Sequence, residues 1–219
     1  MVTSELSESM RNLLARRQAE LDTGARSVGW KVGLSAPALQ AALGLDGPLV
    51  GYLTDATVLD VGAPVDLSGW DHPALEVEVA VRVGPDGGVA ALAPALELVD
   101  LNVPFDTLGP IIEGNICHRH VIFGPEVDRT DPGRVEVSAV DAQGRVSTGE
   151  LTESPAATVR VVREILARHG AVLSPGDRII AGTLIAPLPV AAGDRVAVSF
   201  GPLGSLDVAF SGAGRVPPD

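Results

Sequence analysis

The chain has 219 residues, a formal net charge of −12 at pH 7 and 46% apolar residues, enough for a substantial core in one domain. The acidic balance and the lack of a Lys/Arg cluster exclude nucleic acid as a partner, and the single cysteine, Cys117, excludes an internal disulfide framework. The first 21 residues lack the unbroken apolar core of a signal peptide and no other run is long enough for a bilayer span, so a cytoplasmic protein with no membrane partner is expected.

Residues 1–25 read as an N-terminal helix, with Leu6, Met10, Leu13, Leu14 and Leu21 near the helical repeat. "VGWKVGL" (28–34) follows as a short strand. Lys31, between Trp30 and Val32, either snorkels to the surface or sits in a pocket with a lowered pKa; snorkelling is the commoner outcome. "SAPALQAALGL" (35–45) reads as a helix with Ser35 as N-cap and Pro37 in its first turn. Short apolar strands bounded by Gly, Pro and Asp come next: "LVGYLT", "ALEVEVAVRV", "ALELVDLNV", "RVEVSAV", "DRIIAGTL", "DRVAVSF" and "SLDVAF". One helix interrupts them over 154–170. Ser154 is its N-cap, Pro155 its first residue and Gly170 its close, and Val159, Val162, Ile165 and Leu166 form its buried stripe. Asp177 and Asp194 follow glycines in turns that lead straight into strands. Residues 213–219 read as a flexible tail. The pattern predicts an α+β, mostly β domain over 26–212 with few helices.

The stretch "PALEVEVAVRVG" (73–84) sends Leu75, Val77, Val79 and Val81 to one face and Glu76, Glu78, Ala80 and Arg82 to the other. Two carboxylates side by side repel, so water or a cation must offset the charge; on the strand alone, a solvated face is the commoner reading. In "PALELVDLNVP" Glu97 and Asp100 fall on opposite faces of a regular strand, so at most one joins the pair without a bulge. Three carboxylates from two strands suit Mg²⁺ or Mn²⁺, which take oxygen ligands and keep positions for water or substrate. The "CHRH" run (117–120) invites a zinc reading, but its ligands are too closely spaced for the usual structural pattern. His118 and His120 share strand parity and are expected on one face.

The order of motifs resembles the 2-keto-4-pentenoate hydratase / 4-oxalocrotonate decarboxylase family of the fumarylacetoacetate hydrolase superfamily. The resemblance lies in "GWKVGLSAPALQAALGLDGPLVGYL", "PALEVEVAVRV", "APALELVD" and the run from "LSPGDRIIAGTL" to "SLDVAFSG", across roughly 26–212. It implies a fumarylacetoacetate hydrolase C-terminal-like mixed β-sheet or barrel. It implies that Glu76, Glu78 and Glu97 bind Mg²⁺ or Mn²⁺, with Asp100 the fallback for Glu97, and that Lys31 is the active-site lysine. Asn115, Arg119, Gly182 and Thr183 would then bind substrate. The family's Asp-Asn-Ala-Ser-x-Gly stretch aligns with "GNICHR", where Gly114, Cys117 and Arg119 depart from it. If Arg119 points into the pocket, its guanidinium should accept a second substrate carboxylate; otherwise it is a surface or subunit contact. The implied activity is a metal-dependent lyase of hydratase or decarboxylase type. It would act on a small 2-keto or 2-hydroxydienoic acid through a metal-stabilised enolate, in a homo-oligomer. The alternatives are an acylpyruvate-type C–C hydrolase, with Glu113 and His118 or His120 activating water, and a diverged non-catalytic scaffold.

Overall fold

A computed structural model describes residues 2–103 and 107–212. In chain order it contains α1 (Val2–Asp22), β1 (Ser27–Gly33), α2 (Pro37–Leu43), β2 (Leu49–Thr54), β3 (Val58–Leu59), β4 (Val65–Asp66), β5 (Pro73–Val83) and β6 (Val89–Asp100). Then follow α3 (Leu108–Glu113), β7 (His118–Phe123), β8 (Glu136–Val140), β9 (Val146–Glu150), α4 (Pro155–Arg168), β10 (Arg178–Ile180), β11 (Leu188–Pro189), β12 (Arg195–Ser199) and β13 (Ser205–Ser211). The strands form two sheets. The larger runs β2-β1-β10-β5-β6-β7-β3, with β11 also on β5, and the smaller runs β4-β13-β12-β8-β9. The result is the mixed, mostly β architecture expected from the strand pattern.

The β5–β6 hairpin is the spine of the larger sheet. Its turn closes where the Gly84 N–H donates to the Gly88 carbonyl at 2.7 Å and Asp86 accepts from the Gly88 N–H at 2.9 Å. With the register fixed there, Glu76 lies directly opposite Glu97. Leu75, Val77, Val79 and Val81 are buried in the principal core with Val196, Val198, Leu206 and Val208 of the smaller sheet and Val159 and Val162 of α4. The opposite face of the sheet is covered too. There Ala80 joins Leu53, Ala93, Ala95, Val121 and Ile180 in a second cluster. A sheet covered on both faces places its alternate residues in an interior rather than in water.

Several local expectations are corrected. The N-cap of α2 is Ala36, without a side-chain cap bond, and the helix buries none of its residues. Ser35 instead faces Gly182, where an added Cβ would lie 2.8 Å from its hydroxyl. The expected strand over 177–184 pairs only over Arg178–Ile180, because the chain turns at Gly182 with φ +97°. β6 begins at Val89 and ends at Asp100, so residues 101–103 leave the sheet. Helix α4 is capped by the Ser154 hydroxyl as expected, but it ends at Arg168 with His169 as cap, and Gly170 follows at φ +75°. Ile165 only lines the edge of its buried stripe. Asp177 and Asp194 close their turns by accepting the N–H of Ser174 and Ala191. The tail over 213–219 lies outside the described residues, and no described helix is long and apolar enough to cross a membrane.

Gly29 is where β1 meets β10. It sits at φ +148°, and a Cβ there would come within 1.9 Å of the Arg178 carbonyl oxygen. Gly29→Ala should therefore cost about 2–4 kcal/mol of stability through forced separation of the two strands. Denaturant unfolding measures it, and an unchanged midpoint would mean that the pairing carries no such constraint.

Candidate active site

Three carboxylates converge between β5 and β6. Glu76, Glu78 and Glu97 each offer an oxygen within 4.8 Å of the others. Glu78 and Glu97 are fully buried, so the solvated-face reading of the strand is overturned. Each has one oxygen committed to protein. Glu78 Oε2 accepts the Gly182 N–H at 2.8 Å. Glu97 Oε1 meets Lys31 Nζ at 2.5 Å and His118 Nδ1 at 2.8 Å. The remaining oxygens, Glu78 Oε1 and Glu97 Oε2, are buried without a hydrogen-bond partner. Such orphans are costly unless something satisfies them.

Lys31 does not snorkel. It is 1% exposed and donates a second bond, 3.0 Å long, to the Ile116 carbonyl. Room for its stem comes from Gly51 on β2, where a Cβ would meet Lys31 Cγ at 2.9 Å and Asn115 Oδ1 at 2.5 Å. The Ile116 carbonyl is delivered by an unusual turn. Asn115, Ile116 and Cys117 are successive left-handed residues, at φ +56°, +53° and +63°. Each costs about 1–2 kcal/mol for a side chain with a Cβ, so something must hold the turn. The Ile116 N–H donates to the Ile111 carbonyl at 2.8 Å and the Cys117 carbonyl accepts the Asp100 N–H at 3.0 Å, while the Asn115 Oδ1 accepts the Tyr52 N–H and its Nδ2 donates to the Tyr52 carbonyl, both at 2.9 Å. The amide is thus engaged with the β2 backbone.

β7 leaves this turn with a bulge. Leu98 pairs with His120 but Val99 pairs with His118, so Arg119 is the extra residue. The equal-parity expectation for the two histidines is therefore wrong. His118 faces Glu97, with its Nε2 3.0 Å from Thr57 Oγ1, whereas His120 stacks on Trp70 with ring centroids 5.9 Å apart. No zinc cluster forms from the "CHRH" run among the described residues. Arg119 pairs with Asp100 at 3.0 Å, and Asp100 also accepts the His72 N–H at 2.8 Å. Asp100, the fallback ligand, is thereby held away from the other carboxylates. Of the remaining expected substrate residues, Gly182 holds Glu78, and Thr183 lines the cavity while donating to the Ile185 carbonyl at 2.7 Å. His118 is a site residue that the sequence left ambiguous, because nothing in it signals the bulge.

The electrostatics follow from burial and these pairs. Burial, reinforced by the Glu97 charge, raises Glu76 to about 7 and Glu78 well above the usual carboxylate range. Burial would raise Glu97 as well, but the Lys31 charge and the His118 hydrogen bond outweigh it and hold Glu97 at about 2. For Lys31, burial acts to lower the pKa, yet Glu97, Glu76 and Glu78 together raise it. The lowered lysine pKa expected for a pocketed side chain is thus reversed. Three carboxylates and one ammonium carry two net negative charges when ionised, which a divalent cation would balance. Hard oxygen donors, two orphaned oxygens and this charge together fit Mg²⁺ or Mn²⁺.

The fold is the fumarylacetoacetate hydrolase-like mixed sheet shared with solved neighbours such as the fumarylpyruvate hydrolase of Pseudomonas aeruginosa. No family model matches the chain. It is 29% identical over 215 residues to a 4-oxalocrotonate decarboxylase of Pseudomonas putida, covering 89% of this chain and 81% of that protein. It is 28% identical over 217 residues to 2-keto-4-pentenoate hydratase 1 of Dechloromonas aromatica, covering 89% and 81%. The solved 4-oxalocrotonate decarboxylase of Pseudomonas putida G7, complexed with magnesium and adipate, superposes with a TM-score of 0.78 at 24% identity, over 90% of this chain and 83% of that one. The chain is thus a homologue of proteins named 4-oxalocrotonate decarboxylase and 2-keto-4-pentenoate hydratase.

A metal ligand must be deprotonated, so below about pH 7, where Glu76 holds its proton, divalent-ion binding should release protons. Affinity should rise with pH through about 7 as Glu76 ionises, and the raised Glu78 should add to that rise. Calorimetry near pH 6.5 in buffers of different ionisation enthalpy reads this directly. A binding heat independent of buffer would contradict the assignment.

Proposed function

We propose that the protein is a metal-dependent lyase of hydratase or decarboxylase type acting on a small 2-keto or 2-hydroxydienoic acid. One observation carries the reading: two orphaned oxygens of buried glutamates stand beside Glu76 and a buried ammonium, next to a cavity of about 200 Å³ lined by Lys31 and Glu76. The names of the relatives point the same way. Glu76, Glu78 and Glu97 would hold Mg²⁺ or Mn²⁺. The ion would supply Lewis acidity toward the carboxylate and 2-oxo oxygens of the substrate.

The chain's own residues do the rest. Lys31 uses two of its three N–H donors on Glu97 and Ile116, which leaves one for the substrate carboxylate or for a proton relay. His118 acts as a positioning residue. With Lys31 it saturates Glu97 Oε1, so that Oε2 is the oxygen left for the ion. Asn115 positions rather than touches the substrate, by bracing the turn that orients Lys31. The hydrolase alternative loses support, because Glu113 bonds to Asn12 at 2.8 Å and His118 is engaged by Glu97 and Thr57. An intact acidic group with its lysine also argues against an inert scaffold. A small diffusible substrate accords with the cytoplasmic location expected from the sequence, and sedimentation tests the homo-oligomer.

Turnover of 2-hydroxypenta-2,4-dienoate or a related keto acid should require Mg²⁺ or Mn²⁺. Lys31→Met should keep the fold and lower kcat by about 10³-fold or more; near-normal kinetics would remove the lysine from the chemistry. Glu78→Gln should weaken divalent binding more than about tenfold, and His118→Leu about 10–100-fold. Titration of the apo variants with Mn²⁺ checks both, and wild-type affinity in Glu78→Gln would show that the orphaned oxygens hold no ion.

A further inference from the structure

The cavity beside the carboxylates has a one-sided chemistry. Apart from Lys31 and Glu76, its described wall carries no charged side chain. Leu34, Leu39, Val99, Leu101, Ile116 and Pro187 supply hydrocarbon, and the Thr183 hydroxyl is spent on the Ile185 carbonyl. Lys31 is the cavity's cation, and it sits at the acidic group, bonded to Glu97.

A second carboxylate on the substrate would need another cation, and the candidates face elsewhere. Arg119, removed from the ladder by the bulge, is held by buried Asp100 and lies over Trp70, 5.8 Å from the ring centroid. Arg16 donates to the Glu113 carbonyl at 3.1 Å and pairs with Glu20. Both arginines line a separate crevice, whose described lining has only Cys117 in common with the cavity.

We infer that this site selects 2-keto acids with a single carboxylate and a short hydrocarbon tail, and discriminates against dicarboxylic 2-keto acids. The inference rests on the function proposed above. It separates this chain from the solved neighbour that holds adipate, a dicarboxylate. The keto-acid end is served by the polar floor. The far end lies against leucine, valine and proline, where a methyl-terminated tail gains from burial. A carboxylate there loses water and meets no cation in the described lining, only the neutral Ser35 hydroxyl.

Two unreactive acids of equal length test this on the Mg²⁺-loaded protein: 2-oxohexanoate and 2-oxoadipate, which differ only in a terminal methyl or carboxylate. Calorimetry should find 2-oxohexanoate tighter by about tenfold or more. Equal affinities, or tighter binding of 2-oxoadipate, would overturn the inference while leaving the proposed function in place. Binding of neither acid would overturn both. Leu39 lies on α2, which has no buried residue, so Leu39→Arg should fold and present a cation to the tail. It should shrink or reverse the preference for 2-oxohexanoate. A preference unchanged in that variant would show that the apolar wall does not set it.

Discussion

Glu97 stays charged in a place where a carboxylate should not. It is fully buried, and it is ionised because Lys31 and His118 both donate to the same oxygen. Everything else in the site follows from that arrangement. Saturating Oε1 leaves Oε2 bare, and the unmet demand of Oε2 is shared with Glu78 Oε1. The lysine is equally dependent. Without Glu97 and its neighbours, burial would strip its proton, and the cluster would lose its positive member. The two charges justify each other, and neither survives alone in the interior.

Holding that pair requires parts from distant segments. β1 brings Lys31, the β5–β6 hairpin sets Glu76 opposite Glu97, and the turn before β7 brings the Ile116 carbonyl. The turn is held in three unfavourable conformations by backbone bonds to α3 and β6 and by a side-chain amide that clasps the backbone of β2. Strain of this kind persists only where the surroundings over-determine it. Here the return is a carbonyl aimed at a buried ammonium. The small residues fit the same logic: Gly51 leaves space for the Lys31 stem, and Gly182 turns its N–H toward Glu78.

Much of this was legible in the sequence, for identifiable reasons. Alternation in "PALEVEVAVRV" gave the faces of β5, and the cap and stripe of α4 were written in Ser154, Pro155 and the valines. Asp177 and Asp194 announced their turns. What was hidden depends on pairing at long range. The burial of Glu78 and Lys31 requires a covered second face, which local polarity does not reveal. Helix α3 contains Gly109 and Pro110, both poor helix signals, and β9 is a polar edge strand with no apolar run. The orientation of His118 depends on a bulge, and three consecutive left-handed residues without glycine leave no mark in composition.

The bulge at Arg119 makes residue count, rather than residue type, the determinant of what this strand shows to each side. With one residue too many opposite Leu98 and Val99, the chain presents His118 inward and gives Arg119 to Asp100. Deleting Arg119 would leave His118 opposite Val99, on the Glu97 face, whereas losing the bulge with Arg119 kept in the ladder would turn His118 to the other face. The composition of the site would hardly alter, but its wiring would. Within this architecture the register at one position, set by the extra residue, decides which side chain reaches Glu97.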